Sequence, residues 1–136
     1  MTDHVGGCAC GRVRFRAVAG PVDTGYCHCR LCQRTTGAPV LAWASFPVEA
    51  FAYTAGAPGR FASSALGDRE FCSHCGTQIA FRKRQDAVTV DVNVGALDDP
   101  AQYPPAKHIW CESAIPWLSI ADGLPRYARG GTGGGG

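Results

Sequence analysis

The sequence predicts a mainly β protein built as a single domain, and three observations carry that expectation. Arg12 to Val18 alternates strictly, with Val13, Phe15 and Ala17 on one face and Arg12, Arg14 and Arg16 on the other, the period-two pattern of a half-buried strand. Ala87 to Val92 repeats it, with Val88, Val90 and Val92 opposing Thr89 and Asp91. No segment carries a long apolar repeat of helical period, so helix is expected only as short turns. At 136 residues and 46% hydrophobic content the chain suffices for one core.

The remaining strands follow in order. Pro39 to Phe46, Phe51 to Thr54, Arg69 to Phe71 and Gln78 to Arg82 are each rich in aromatic or aliphatic residues. Between them stand the breakers Ala19-Gly20-Pro21, Gly56-Ala57-Pro58-Gly59, Asp98-Asp99-Pro100 and Tyr103-Pro104-Pro105. The domain is expected over residues 1–129, and the glycine-rich stretch 130–136 as a flexible tail.

The net charge is +2, with the basic residues scattered in short groups, so no clustered basic face for nucleic acid is expected. Met1-Thr2-Asp3-His4 lacks the apolar core of a secretory signal, and no apolar run approaches membrane-spanning length. A cytoplasmic protein without a membrane partner is the expectation. In a reducing compartment, clustered cysteines point to metal ahead of disulfides.

Eight cysteines fall into four groups: Cys8-Ala9-Cys10, Cys27-His28-Cys29 followed by Cys32, Cys72-Ser73-His74-Cys75, and Cys111 alone. A Cys-x-x-Cys turn converges two thiolates on one ion, with backbone amides stabilising the sulfurs and Gly76 easing the turn. Cys8 and Cys10, set on one side of a strand, can complete a closed tetrahedral zinc site with Cys72 and Cys75. Cys27, Cys29 and Cys32 supply three thiolates and leave a position open, the mark of a reactive zinc, for which a thiol is a soft partner. His28 should point away from that ion if Cys27 and Cys29 point toward it. Cys111 can instead close the second site, and iron or cobalt remain alternatives to zinc.

Further candidates surround the second site. His108 and His28 are candidate acids or bases near neutral pH. Trp43, Trp110 and Trp117 can line a cleft above the ion or simply fill core, and Ser113 can donate a hydrogen bond. Asp91, Asp98 and Asp99 read as carboxylates capping backbone amides.

Gly7-Cys8-Ala9-Cys10-Gly11, the Cys27 to Arg34 run, Phe71 to Thr77, Val94 to Pro100, His108-Ile109-Trp110 and Pro116-Trp117 together resemble the glutathione-dependent formaldehyde-activating enzyme family, also called centromere protein V-like or carbon-sulfur lyases. The resemblance implies a β-tent of small antiparallel sheets stapled by zinc, with two Zn2+ per chain: a structural zinc on Cys8, Cys10, Cys72 and Cys75, and a reactive one on Cys27, Cys29 and Cys32. It also implies carbon-sulfur lyase chemistry, in which glutathione and formaldehyde give S-hydroxymethylglutathione. Ala114 stands where the family often carries Lys, and the chain is shorter than members specialised for glutathione, which favours a smaller thiol or thiol-aldehyde adduct. The competing expectation is a non-catalytic zinc module that carries a small thiol or binds a macromolecule, as relatives linked to chromosomes and microtubules suggest. A homo-oligomer is compatible with either.

Overall fold

The computed structural model describes residues 3–130. Two sheets dominate, as the sequence predicts. The first has the order β1 (His4–Gly7), β2 (Arg14–Ala17) and β5 (Phe51–Ala55). The second has seven strands, in the order β10 (His108–Ile109), β3 (Asp23–Cys27), β4 (Leu41–Pro47), β9 (Thr89–Asn93), β8 (Gln78–Lys83), β7 (Gly67–Phe71) and β6 (Gly59–Phe61). All named pairings are antiparallel except β10 on β3.

The core fills the space between these sheets. Phe15 and Ala17 of β2 meet Phe46 of β4, Ile79 of β8, and Val90 and Val92 of β9 in one buried cluster. Burial of such side chains is the main driving force for pairing the sheets. A buried ion group adds a polar tie: Glu70 of β7 is fully buried against Arg82 at 2.6 Å and accepts a hydrogen bond from Tyr53 of β5 at 2.6 Å.

Helix is limited to α1 (Arg30–Thr36) and four one-turn 3-10 segments among the described residues. The Cys29 sulfur caps α1 by accepting from the Cys32 amide, so the helix start and the cysteine motif are one structure.

Several boundaries differ from the sequence expectation. Residues 12, 13 and 18 fall outside β2, and β9 begins at Thr89, leaving Val88 in solvent after the turn through Asp86. β1, β3, β6 and β10 were not legible. In β3 the obstacle is Gly25, a poor strand former, required because a Cβ there would stand 2.6 Å from the Trp43 ring across the pair. Cys8 and Cys10 sit in a turn closed by the Gly11 amide on the Cys8 carbonyl, so a turn and not strand alternation turns both toward one point. Except for Gly130, the expected tail lies outside the described residues.

Candidate metal and thiol site

Two groups of thiols gather among the described residues, each with its sulfurs within 4.8 Å of one another: Cys8, Cys10, Cys72 and Cys75, and separately Cys27, Cys29 and Cys32. Sulfurs arranged tetrahedrally around one ion at 2.3 Å stand about 3.8 Å apart. The measured separations, 3.5 Å for Cys8–Cys10, 3.8 Å for Cys10–Cys72 and 3.3 Å for Cys27–Cys32, approach that spacing. Both donor sets fit a thiophilic metal ion.

The four-cysteine group joins the sheets. Cys8 and Cys10 follow β1, while Cys72 and Cys75 lie in the turn between β7 and β8, with Gly76 at φ +84 where a side chain would be strained. The Val13 amide donates to Cys8 Sγ at 3.2 Å and the Cys75 amide to Cys72 Sγ at 3.4 Å. The Thr77 hydroxyl, then the Thr77 and Cys10 amides, hold Cys75 down at about 5. These donors stabilise sulfur as thiolate, the form a metal requires.

The three-cysteine group lies where β3 runs into α1. Cys27 and Cys32 are buried, and Cys29 is partly exposed. Hydrogen bonds from Cys27 and Cys32 hold the Cys29 thiol far down, at about 2, while its contacts with Cys29 push Cys27 strongly up. Neither His28 nor Cys111 belongs to this group. Cys111 stands in the 3-10 turn Cys111–Ser113, its amide bonded to the Tyr127 carbonyl.

His28 faces His108 instead. His28 Nε2 lies 2.9 Å from His108 Nδ1, and His108 Nε2 lies 2.8 Å from Asp122 Oδ2. Asp122 is held below the usual carboxylate range: burial opposes this, but the Leu124 amide and His108 prevail. With Asp122 ionised, His108 donates from Nε2, its Nδ1 accepts from His28 Nε2–H, and the His28 Nδ1 lone pair is left over. That nitrogen is buried without a hydrogen-bond partner. Burial, then His108, lowers the His28 pKa, so the ring is neutral at pH 7. Tyr26 stacks on His108 at 4.8 Å, completing a rigid line from the cysteine segment to the surface.

A pocket of about 410 Å³, counting its mouth, opens directly on Cys27 and Cys32. Trp43, Arg69, Phe81 and Asp91 form part of its wall, and Thr35 and Thr36 of α1 stand at one side. Trp43 lines this pocket and is also buried in the cluster with Cys27, Cys32 and Ile109. His28, His108, Trp110, Ser113 and Trp117 do not line this pocket. Trp110 packs against the Cys27–Cys32 cluster from its other side, and Trp117 is 74% exposed beside α1 in a separate open groove with Arg30 and Arg34. The Ser113 carbonyl accepts from Gln33 Nε2, which also donates to the His28 carbonyl and so locks α1 onto the cysteine segment. Arg69, Gln33 and Asp122 were not singled out by the sequence. Arg69 reads there as an ordinary strand residue, and Asp122 lies in no motif or predicted element.

Comparison with known proteins agrees with this geometry. The family described as "Glutathione-dependent formaldehyde-activating enzyme" matches residues 3–113. An uncharacterized lyase of Schizosaccharomyces pombe is 27% identical over 81 residues, covering 60% of this chain and 58% of that protein. A Halomonas elongata protein provisionally named a glutathione-dependent formaldehyde-activating enzyme is 28% identical over 127 residues, covering 85% of this chain and 79% of its own length. A solved Rhodobacter sphaeroides protein shares the fold with a TM-score of 0.58 at 21% identity, over 90% of this chain and 98% of that one. The family match spans every cysteine from Cys8 to Cys111, and the chain belongs to the glutathione-dependent formaldehyde-activating enzyme family.

Proposed function

We propose that this protein is a zinc-dependent carbon-sulfur lyase-like enzyme that makes or breaks the bond between a small thiol and an aldehyde carbon, as in S-hydroxymethylglutathione chemistry. The observation that carries the proposal is the convergence of Cys27, Cys29 and Cys32 at a pocket, with no fourth donor from the described residues among them. Cys27, Cys29 and Cys32 would hold the zinc ion, which would supply Lewis acidity favouring the thiolate form of an incoming thiol. The four-cysteine group then serves as the structural metal site.

The chain's own residues would do the rest. The walls formed by Trp43 and Phe81 exclude water and hold the carbon chain of the ligand. In the forward direction the thiol sulfur loses a proton and bonds to the carbonyl carbon, and the carbonyl oxygen gains a proton to become the hydroxyl. The thiohemiacetal therefore forms with no net proton change. The His28–His108–Asp122 line stands outside the pocket and is assigned a positioning role, fixing the segment that carries Cys27 and Cys29.

The test is turnover and metal content in one variant. Cys27→Ser should lose one of two zinc equivalents and all catalysed exchange between formaldehyde and thiol, followed by exchange NMR, while keeping its circular dichroism. Persistent catalysis in Cys27→Ser would refute the assignment.

A further inference from the structure

Arg69 is an unusual component of the pocket wall. It is 6% exposed, and a cation that deep is costly unless paired. Its guanidinium donates to the Ser63 hydroxyl and to Cys32 Sγ at 3.5 Å, and lies 4.9 Å above the Phe81 ring. Among the described residues no carboxylate comes within ion-pair distance of it. Asp91, the acidic residue of the same pocket, accepts from the Ser45 hydroxyl instead, and burial pushes its pKa up toward the neutral acid. The pocket thus holds a fixed cation, a carboxyl that burial biases against charge, and apolar walls, all next to a reactive sulfur.

The geometry points to a ligand class: a short thiol that carries a carboxylate, with its sulfur directed to the Cys27–Cys29–Cys32 group and its carboxylate held by Arg69. This rests on the thiol site proposed above and adds to it the substrate's charge and size. Arg69 touches Cys32, so the two ends of the ligand are separated by only a few bonds, as in a mercaptocarboxylic acid. A planar guanidinium with donors to spare matches a carboxylate. The competing role for Arg69 is to balance the charge of the cysteine thiolates, which would affect metal retention and not ligand choice.

Calorimetric titration of the zinc-loaded protein separates these roles, with 3-mercaptopropionate and the equally long, uncharged 3-mercapto-1-propanol as probes. The wild type should bind the acid about tenfold or more tighter than the alcohol, the scale of a charge-assisted hydrogen bond. Arg69→Gln should bring the two within about twofold at unchanged zinc content, and Arg69→Lys should retain part of the preference. Equal affinities in the wild type, or a preference that survives Arg69→Gln, overturns the inference, as does loss of zinc in Arg69→Gln with the preference intact. If Arg69→Gln does not fold, propionate decides: its competition with 3-mercaptopropionate in the wild type supports the anion site, and failure to compete overturns it. Failure of both thiols to bind refutes the proposed thiol site itself, while a shift of the Arg69 Nε–H resonance by propionate alone would still uphold the anion subsite.

Discussion

The two cysteine groups should differ sharply in what they contribute to stability, and a matched pair of substitutions exposes the difference. Cys72 and Cys27 are both 1% exposed, so replacing either with Ser perturbs a comparably buried side chain. What differs is the length of chain that each group closes. Cys10 and Cys72 are 62 residues apart, whereas Cys27 and Cys32 are 5 apart. Treated as cross-links, these closures are worth about 4 and about 2 kcal/mol respectively. The first also clips the β1–β2 sheet to the turn between β7 and β8, where the Ala9 amide donates to the Thr77 hydroxyl across the same junction. Against a typical total of about 5 to 15 kcal/mol, Cys72→Ser removes a large share of the stability. For a domain of this size the thermal midpoint should fall by roughly 15 °C, about twice the fall for Cys27→Ser. Thermal melts of zinc-loaded proteins, followed by circular dichroism with metal content measured beforehand, provide the comparison. Midpoint shifts of equal size would refute the division into a structural and a reactive group.

Three further outcomes follow from local geometry. Gly76→Ala places a methyl at φ +84 with nothing within 4 Å, so its cost should be backbone strain alone, about 1 to 2 kcal/mol in urea denaturation; Gly25→Ala meets the Trp43 ring at 2.6 Å and should cost more, with altered Trp fluorescence. Asp98→Asn removes an exposed pair in which Arg14 donates at 3.0 and 2.5 Å and holds the Asp98 carboxyl below its ordinary 3.8. Because the folded value is depressed, the contribution is complete above the unfolded value and disappears as pH falls through the folded one. The two proteins should therefore differ by under about 1 kcal/mol at pH 7 and converge in acid. Asp122→Asn should leave the fold intact and change the His108 and His28 tautomers, read from ring 15N shifts, and unchanged shifts would remove Asp122 from the line.

How much of this was legible depended on whether residues announce their partners by spacing. The cysteines do: pairs separated by one or two residues can act together only if the chain turns, so both groups were readable before any fold was known. β2 was readable because solvent on one side and core on the other leave Arg14 and Arg16 facing Phe15 and Ala17 in strict alternation. β10 was not, because its two residues, His108 and Ile109, are both buried and are held by the neighbouring β3 and not by any pattern of their own. The His28–His108 contact spans 80 residues, and the Asp122 contact joins a segment with no strand signal at all. Such pairings arise from topology, and a single sequence carries no local trace of them.

The same limit explains why the pocket wall was missed. Alternation along β9 assigns Val90 and Val92 to one face and Asp91 to the other, and the usual inference puts the polar face in water. Here the second face of the large sheet is covered too, by α1 and the cysteine segment, so Asp91 is 9% exposed and Arg69 on β7 is 6% exposed. A period-two pattern distinguishes two faces but cannot tell solvent from a cleft, because both tolerate polar side chains. The distinction is energetic: in water Asp91 and Arg69 would need no partner, while in a cleft each must be neutral, hydrogen-bonded or matched by a ligand. Asp91 meets the requirement through Ser45 and burial-favoured protonation, and Arg69 only partly, through Ser63 and Cys32. That remaining demand falls on the arginine nearest the three sulfurs, which is why ligand charge should matter at this site.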